Sequence, residues 1–164
     1  MRTHVIHIIL ICFLLAACDT SQSKTEKMSS KDFSFKIIEM TSVFNSKTEK
    51  YTRKYVGKDS SVNVKLDEKE LQQIQKLMTD LGFEHFPEKF ECSENGTFTL
   101  PSFETTIEIS INGKLKKVTN TSFCDTKVQQ NMANSFEKIV IRIHRILDSK
   151  KEVKNMRPCD MIFF

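Results

Sequence analysis

The chain has 164 residues, 39% hydrophobic with 13 phenylalanines, which is apolar material for one real core and too little length for several domains. Its formal net charge of +4 is dispersed, with no long basic run, which argues against a nucleic-acid partner. There is no tryptophan and little glycine, and no glycine-rich phosphate loop, Gly-x-Ser-x-Gly or His-Glu-x-x-His pattern occurs. At the start, Met1-Arg2-Thr3-His4 carry one fixed positive charge, and Val5 to Leu15 form an almost unbroken apolar run. That run is too short to span a hydrocarbon core, which needs about 20 residues. A basic head, a brief apolar stretch and small residues before a cut site predict a secretory leader over residues 1–17.

The residues at the cut are Leu15-Ala16-Ala17-Cys18, and they resemble the lipobox of bacterial lipoproteins. The resemblance covers this N-terminal stretch alone. It implies cleavage just before Cys18, a diacylglycerol thioether on the Cys18 sulfur, and often an acyl chain such as palmitate on the new amine. It therefore implies a cell-envelope protein held to a membrane through Cys18 and facing the periplasm or the cell surface. Two acyl chains would make that anchoring stable rather than transient. Asp19 resembles an inner-membrane retention signal in enteric bacteria but not in other lineages, so the choice between inner and outer membrane stays open. The bias toward Lys, Phe, Ile and Asn suggests an AT-rich bacterial genome.

Residues 18–32 continue as a polar stretch, Asp19 to Asp32, with no aromatic residue and no periodicity. Such a composition cannot bury enough surface to offset its ordering entropy, so a disordered tether is expected. A single α+β domain is expected over residues 33–164. Phe33-Ser34-Phe35-Lys36-Ile37 alternates apolar and polar, as a half-buried strand does. Ile38 and Met40 shift the phase, which reads as a bulge or as cover on both faces. Tyr51 to Val56 reads as a more polar strand near a sheet edge, and Val62, Val64 and Leu66 mark a third strand.

The first helix is announced by Asp67 as N-cap and Glu70 three residues on, a capping-box spacing. Leu71, Ile74, Leu77 or Met78, and Leu81 share one face, and Gly82 supplies the left-handed stop, with Phe83 placed to pack back. Glu84 to Phe103 has no clean period. Phe86, Phe90, Phe98 and Phe103 suggest a long loop pinned to the core, and Cys92 suggests a covalent pin as well. Thr106 to Ile111 alternates strictly, and Asn112-Gly113 is a strong type I′ hairpin signal. On the returning strand, a two-residue loop sets Val118 opposite Ile107 but sends Leu115 to the polar face. A bulge near Lys116-Lys117 would reconcile both, so the register stays open. Asp125 or Thr126 is expected to cap a long helix striped by Val128, Met132, Phe136, Ile139, Val140, Ile143 and Leu147. Ser149 and Glu152 resemble a capping box for a short last helix, and Met161 to Phe164 is expected to dock on the core. The fold class expected is α+β: an antiparallel sheet of about five strands, ordered β-β-β-α-loop-β-β-α, with two amphipathic helices on one face.

Of the five cysteines, Cys12 leaves with the leader and Cys18 takes lipid. Cys92, Cys124 and Cys159 remain, in a compartment where disulfides persist. Cys92 and Cys124 flank the hairpin, and their bond is the candidate disulfide; closing a loop of roughly 30 residues is worth about 3–4 kcal/mol on the chain-entropy account. Cys124–Cys159 is the rival pairing, and one thiol is left over either way. The same cysteines with His85 make a poor zinc set, because tight Cys pairs are missing. No metal and no cofactor are expected. A Cys–His pair drawn from Cys124 or Cys159 with His85 or His144 is the alternative, that of a small exported thiol enzyme or hydrolase. Lys114, Lys116 and Lys117 form a basic cluster, read as a solvated strand face or as a contact for anionic lipid or an acidic partner. The function expected is a non-enzymatic binding module meeting an envelope protein or a peptidoglycan-associated partner, of which an inhibitor or immunity protein is one form. The Glu84–Phe103 loop is its expected contact surface.

Overall fold

The computed structural model describes residues 32–92, 103–121 and 127–162. The expected leader, Cys18, the tether to Lys31, Phe98, Cys124 and both expected helix caps, Asp125 and Thr126, lie outside them. The class is α+β, with a seven-stranded mixed sheet in the order β4-β3-β2-β1-β6-β7-β5. The strands are β1 (Phe33–Ile38), β2 (Ser42–Asn45), β3 (Lys50–Arg53), β4 (Ser60–Asn63), β5 (Lys89–Phe90), β6 (Glu104–Ile111) and β7 (Lys114–Thr121). The helices are α1 (Glu68–Asp80), α2 (Gln130–Ser149) and the short α3 (Lys151–Lys154).

Two strands beyond the expected five explain the difference in count. The phase shift after Ile37 is neither a bulge nor double cover. The chain reverses through Glu39-Met40-Thr41, closed by the Glu39 amide donating to the Ser42 carbonyl at 2.8 Å, and β2 returns against β1 with Val43 opposite Ile38. Within the expected loop, Lys89 and Phe90 form β5, parallel to β7, which makes the sheet mixed rather than antiparallel. The edge also moves: β3 is one strand in, and β4 is the outermost strand.

Alternation along the strands sorts the sheet into two faces. Phe33, Phe35, Ile37, Phe44, Tyr51, Ile107, Ile109 and Val118 are buried with Ile74 and Met78 of α1 and Phe136, Ile139, Ile143 and Leu147 of α2 in one core. The other face carries Ser34, Lys36, Thr52, Ser61, Thr106, Glu108 and Lys117. A run of aromatic contacts ties the loop to α2: Phe83, Phe86, Phe90 and Phe136 meet in sequence at centroid distances of 5.3, 5.7 and 5.8 Å. These edge-on and tilted geometries suit the ring quadrupoles.

The capping box on α1 forms, with the Asp67 carboxylate accepting from the Glu70 amide and the Glu70 carboxylate from the Asp67 amide, both at 2.8 Å. Gly82 follows at φ +68°, a left-handed position that costs other residues strain. The hairpin closes through Asn112 and Gly113, both at positive φ, and its register runs unbroken from Ile111↔Lys114 to Ile107↔Val118. No bulge forms. The type I′ turn fixes the register, and Leu115 pays for it by standing 83% exposed on the open face.

Three expectations at the second helix and the tail are corrected. Val128 and Met132 are exposed, because α2 begins only at Gln130 and its buried stripe opens at Ala133. Ser149 donates from its hydroxyl to the Ile146 carbonyl instead of capping α3, whose N-cap is Lys150. Of the expected tail, Met161 is half-buried and Ile162 is 74% exposed, so Ile162 does not dock on the core, while Phe163 and Phe164 lie outside the described residues.

Candidate functional site

β4 is a four-residue strand paired on one side only. Its hydrogen-bond phase follows from its last neighbour: the Val64 amide donates to the Glu49 carbonyl at 2.6 Å. In an antiparallel ladder such pairs alternate, so Val62 and Ser60 also bond inward, opposite Tyr51 and Arg53. Ser61 and Asn63 therefore aim their amides and carbonyls away from the sheet.

Beside this edge, on the helix side, lies a cavity of about 320 Å³. Ser60 and Val62 line it from β4, Tyr55 from the chain after β3, and Glu152, Asn155 and Met156 from α3 and its end. Lys58 and Arg157 complete it, and both gather at the Ser60 end, where Arg53 and Tyr55 bind the carbonyl of Arg157. The size lies at the lower bound of pockets that hold small molecules or single side chains, about 300 Å³.

The wall of this groove is a C-terminal strap latched to the end of β3. The Arg53 guanidinium donates to the carbonyls of Met156 at 3.3 Å and Arg157 at 2.8 Å. The Tyr55 hydroxyl donates to the Arg157 carbonyl at 2.8 Å, and the Val56 amide to the Asp160 carboxylate at 2.9 Å. The Arg157 guanidinium lies over the Tyr55 ring, 4.2 Å from its centroid, and pairs with Asp160 at 3.1 Å. Cation–π contact and bidentate reach both suit arginine here. No local pattern announces the strap, because the bonds that latch it to Arg53, Tyr55 and Val56 join residues about a hundred positions apart in sequence. The only sequence signal was the polar, turn-flanked character of the strands at this edge.

The cysteines and histidines singled out from the sequence fall elsewhere. Cys92 is disulfide-bonded and forms an isolated bridge with Lys127, while Cys124 lies outside the described residues. Cys159 is a free thiol whose Sγ donates to the Lys54 carbonyl at 3.4 Å, which removes the Cys124–Cys159 pairing. His85 is exposed and lies 3.5 Å from its neighbour Glu84. His144 is half-buried against Glu39 at 3.0 Å, and Glu39 also accepts from the Ser42 hydroxyl at 2.9 Å. In this array the carboxylate stands between hydroxyl and imidazole, so the ring is not placed to take the hydroxyl's proton. The hydrogen bond to Glu39 raises the His144 pKa above its ordinary value, against the opposing effect of burial, with Glu39, Asp148 and Glu137 adding negative field. The structure thus brings neither histidine into hydrogen-bond contact with Cys159. Among the described residues, no cluster of His, Cys, Asp and Glu is arranged to hold a metal ion.

The lysine cluster divides. Lys116 points to the helix side and donates to the Phe86 carbonyl at 2.6 Å, while Lys114 stays at the hairpin tip and Lys117 on the open face opposite Glu108. No known protein family and no curated protein matches this chain.

Proposed function

We propose that this protein is a lipid-anchored, non-enzymatic binding module of the bacterial cell envelope that captures an extended segment of another envelope protein at the open edge of β4. The single observation carrying this reading is the coincidence of outward-facing backbone groups at Ser61 and Asn63 with a cavity of about 320 Å³ lined by the same strand. Strand addition takes its affinity from main-chain hydrogen bonds and its specificity from pockets that receive alternate side chains. Lys58 at the groove suits a segment with an acidic residue, Arg157 being engaged by Asp160, and Val62 and Met156 suit an apolar neighbour. An inhibitor or immunity protein would work this way. The lipobox residues support the anchor at Cys18, and the exported setting supports a second pin, Cys92–Cys124. That pairing is supported by the bonded state of Cys92, the free Cys159 and the position of Lys127, three residues past Cys124, across from Cys92.

The test is selection of displayed peptides on the mature protein, followed by amide chemical-shift mapping. Enriched peptides should combine an acidic and an apolar residue at alternate positions, and should slow amide exchange at Ser61 and Asn63. Ser61→Pro removes one outward donor at an edge position where proline is tolerated, and should abolish binding without unfolding the domain. Peptides that bind Ser61→Pro as well as the parent, or that perturb residues away from β4 and α3, would sink the reading. A non-reducing peptide map reports the Cys92–Cys124 bond.

A further inference from the structure

The open face of the sheet and the tip of the β6–β7 hairpin form a surface that nothing above uses. We infer that this face rests on the anionic surface of the bilayer to which Cys18 is tethered; the inference rests on the lipid-anchor reading.

Geometry starts with where the chain from the anchor arrives. Asp32 joins the domain beside the hairpin tip, its carbonyl accepting from the Asn112 amide at 3.3 Å. Only residues 19–31 separate Cys18 from this point in the sequence. The tip is therefore the part of the domain held nearest the bilayer, at a local lipid concentration far above that in solution.

The tip and the adjoining open face carry the chemistry of a membrane-resting surface. Leu115 projects from the open face with 83% of its surface exposed, between Lys114 at the tip and Lys117 further along the strand. Glu108 stands between two cross-strand lysines, Lys36 and Lys117, with Lys36 at 3.7 Å. Lys47 from the β2–β3 turn and Lys50 from the start of β3 add charge, so that Lys36, Lys47, Lys50, Lys114 and Lys117 outnumber Asp32, Glu49 and Glu108. A shallow cavity of about 180 Å³ opens here, lined by Ser34, Lys36, Lys47, Ser110 and Leu115 and also by the Glu108 carboxylate. The Lys47 ammonium and the two hydroxyls suit a headgroup phosphate, with Lys36 shared between it and Glu108, and Leu115 suits the acyl boundary beneath. The helices cover the opposite face, and the Ser60 end of the β4 groove lies at the far end of the strands from the tip. A domain resting this way presents its groove away from the lipid.

The chain has no natural tryptophan, so Leu115→Trp introduces a unique reporter. The test uses the full mature chain, residues 18–164, with Cys18→Ser so that no acyl chain contributes. Adding vesicles of phosphatidylglycerol and phosphatidylcholine should shift the Trp emission to the blue and expose it to quenching by brominated acyl chains. Pure phosphatidylcholine should leave it unchanged. In the chain that keeps Leu115, Lys114→Glu with Lys117→Glu should weaken sedimentation with the anionic vesicles by a factor on the order of tens, since each lysine near such a surface is worth roughly fivefold. Lys138→Glu, on the exposed side of α2, should have little effect. An unshifted emission, equal shifts with neutral and anionic vesicles, or an equal loss from Lys138→Glu would overturn the inference. The intact mass of the native protein separately reports acylation at Cys18. A native chain without acyl groups ends the anchor reading, while the emission shift alone decides whether the face binds lipid.

Discussion

The two faces of the sheet are built from the same strands in the same register, and they should respond to mutation in opposite ways. On the covered face, Phe136 is fully buried at the end of the aromatic run through Phe83, Phe86 and Phe90. On the open face, Leu115 has most of its surface in water. Both are large apolar residues, so the difference shows that hydrophobicity stabilises only where the backbone register lets a side chain be buried. Phe136→Ala should lower the free energy of unfolding by about 3–5 kcal/mol, through lost burial and an unfilled cavity. Leu115→Ala should stay within about 0.5 kcal/mol of the parent. Urea unfolding of the two variants measures the contrast directly. Equal losses would mean that Leu115 has partners in solution and that the open face is not open.

A second comparison contrasts contacts between distant residues with contacts between neighbours. The C-terminal strap depends on Arg53, whose two carbonyl partners lie 103 and 104 positions away. Arg53→Ala should release the strap at a local cost of about 1–2 kcal/mol, seen as faster amide exchange at Val56, whose amide is held by Asp160. Unchanged exchange at Val56 would show that Tyr55 and the Arg157 stack hold the strap without it. The capping box of α1 is local. Asp67→Ala should cost about 1 kcal/mol over the whole domain and leave exchange at Val56 no faster than global unfolding requires.

This contrast also explains what was legible in the sequence. α1 could be read from end to end because cap, apolar face and left-handed stop all lie within one short window. The type I′ turn at Asn112-Gly113 could be read for the same reason, and it decided the register that the apolar pattern alone left open. The reversal between β1 and β2 carried no Gly, Pro or Asn, so the only trace of it was a phase shift that also fits a bulge. β5 is two residues long and exists only because β7 is beside it, which no local pattern encodes. The groove was legible only as the polar character of the strands beside it. Its strand was read only as the third of the meander, and its other wall comes from the strap and α3, brought together by tertiary contact alone. In the described part of the Glu84–Phe103 loop, Phe86 and Phe90 are buried, the pinning that its phenylalanines suggested, while Glu84, His85, Glu88, Lys89 and Glu91 stay exposed.

The smallest expected effect concerns the joint between the two layers. His144 on α2 meets Glu39 in the reversal between β1 and β2, so it ties the covered face to the turn that splits the first two strands. Its pKa is raised in the folded protein, chiefly by the hydrogen bond to Glu39. A raised folded pKa means that the native state holds the proton more tightly than the unfolded chain, whose histidine titrates near 6.5. The resulting stabilisation is fully present below about pH 6.5 and fades as pH rises through the higher folded value. Solvent reaches 42% of the His144 side chain, so screening keeps the effect modest. The difference in melting temperature between the parent and His144→Gln should be larger near pH 6 than near pH 9. The same titration of Glu39→Gln should show the pH dependence much reduced, because the largest cause of the raised pKa is the hydrogen bond to that carboxylate, with Asp148 and Glu137 adding less. A gap that is constant with pH, or that widens at high pH, would mean that the imidazole holds the layers by packing alone and that Glu39 serves only the Ser42 turn.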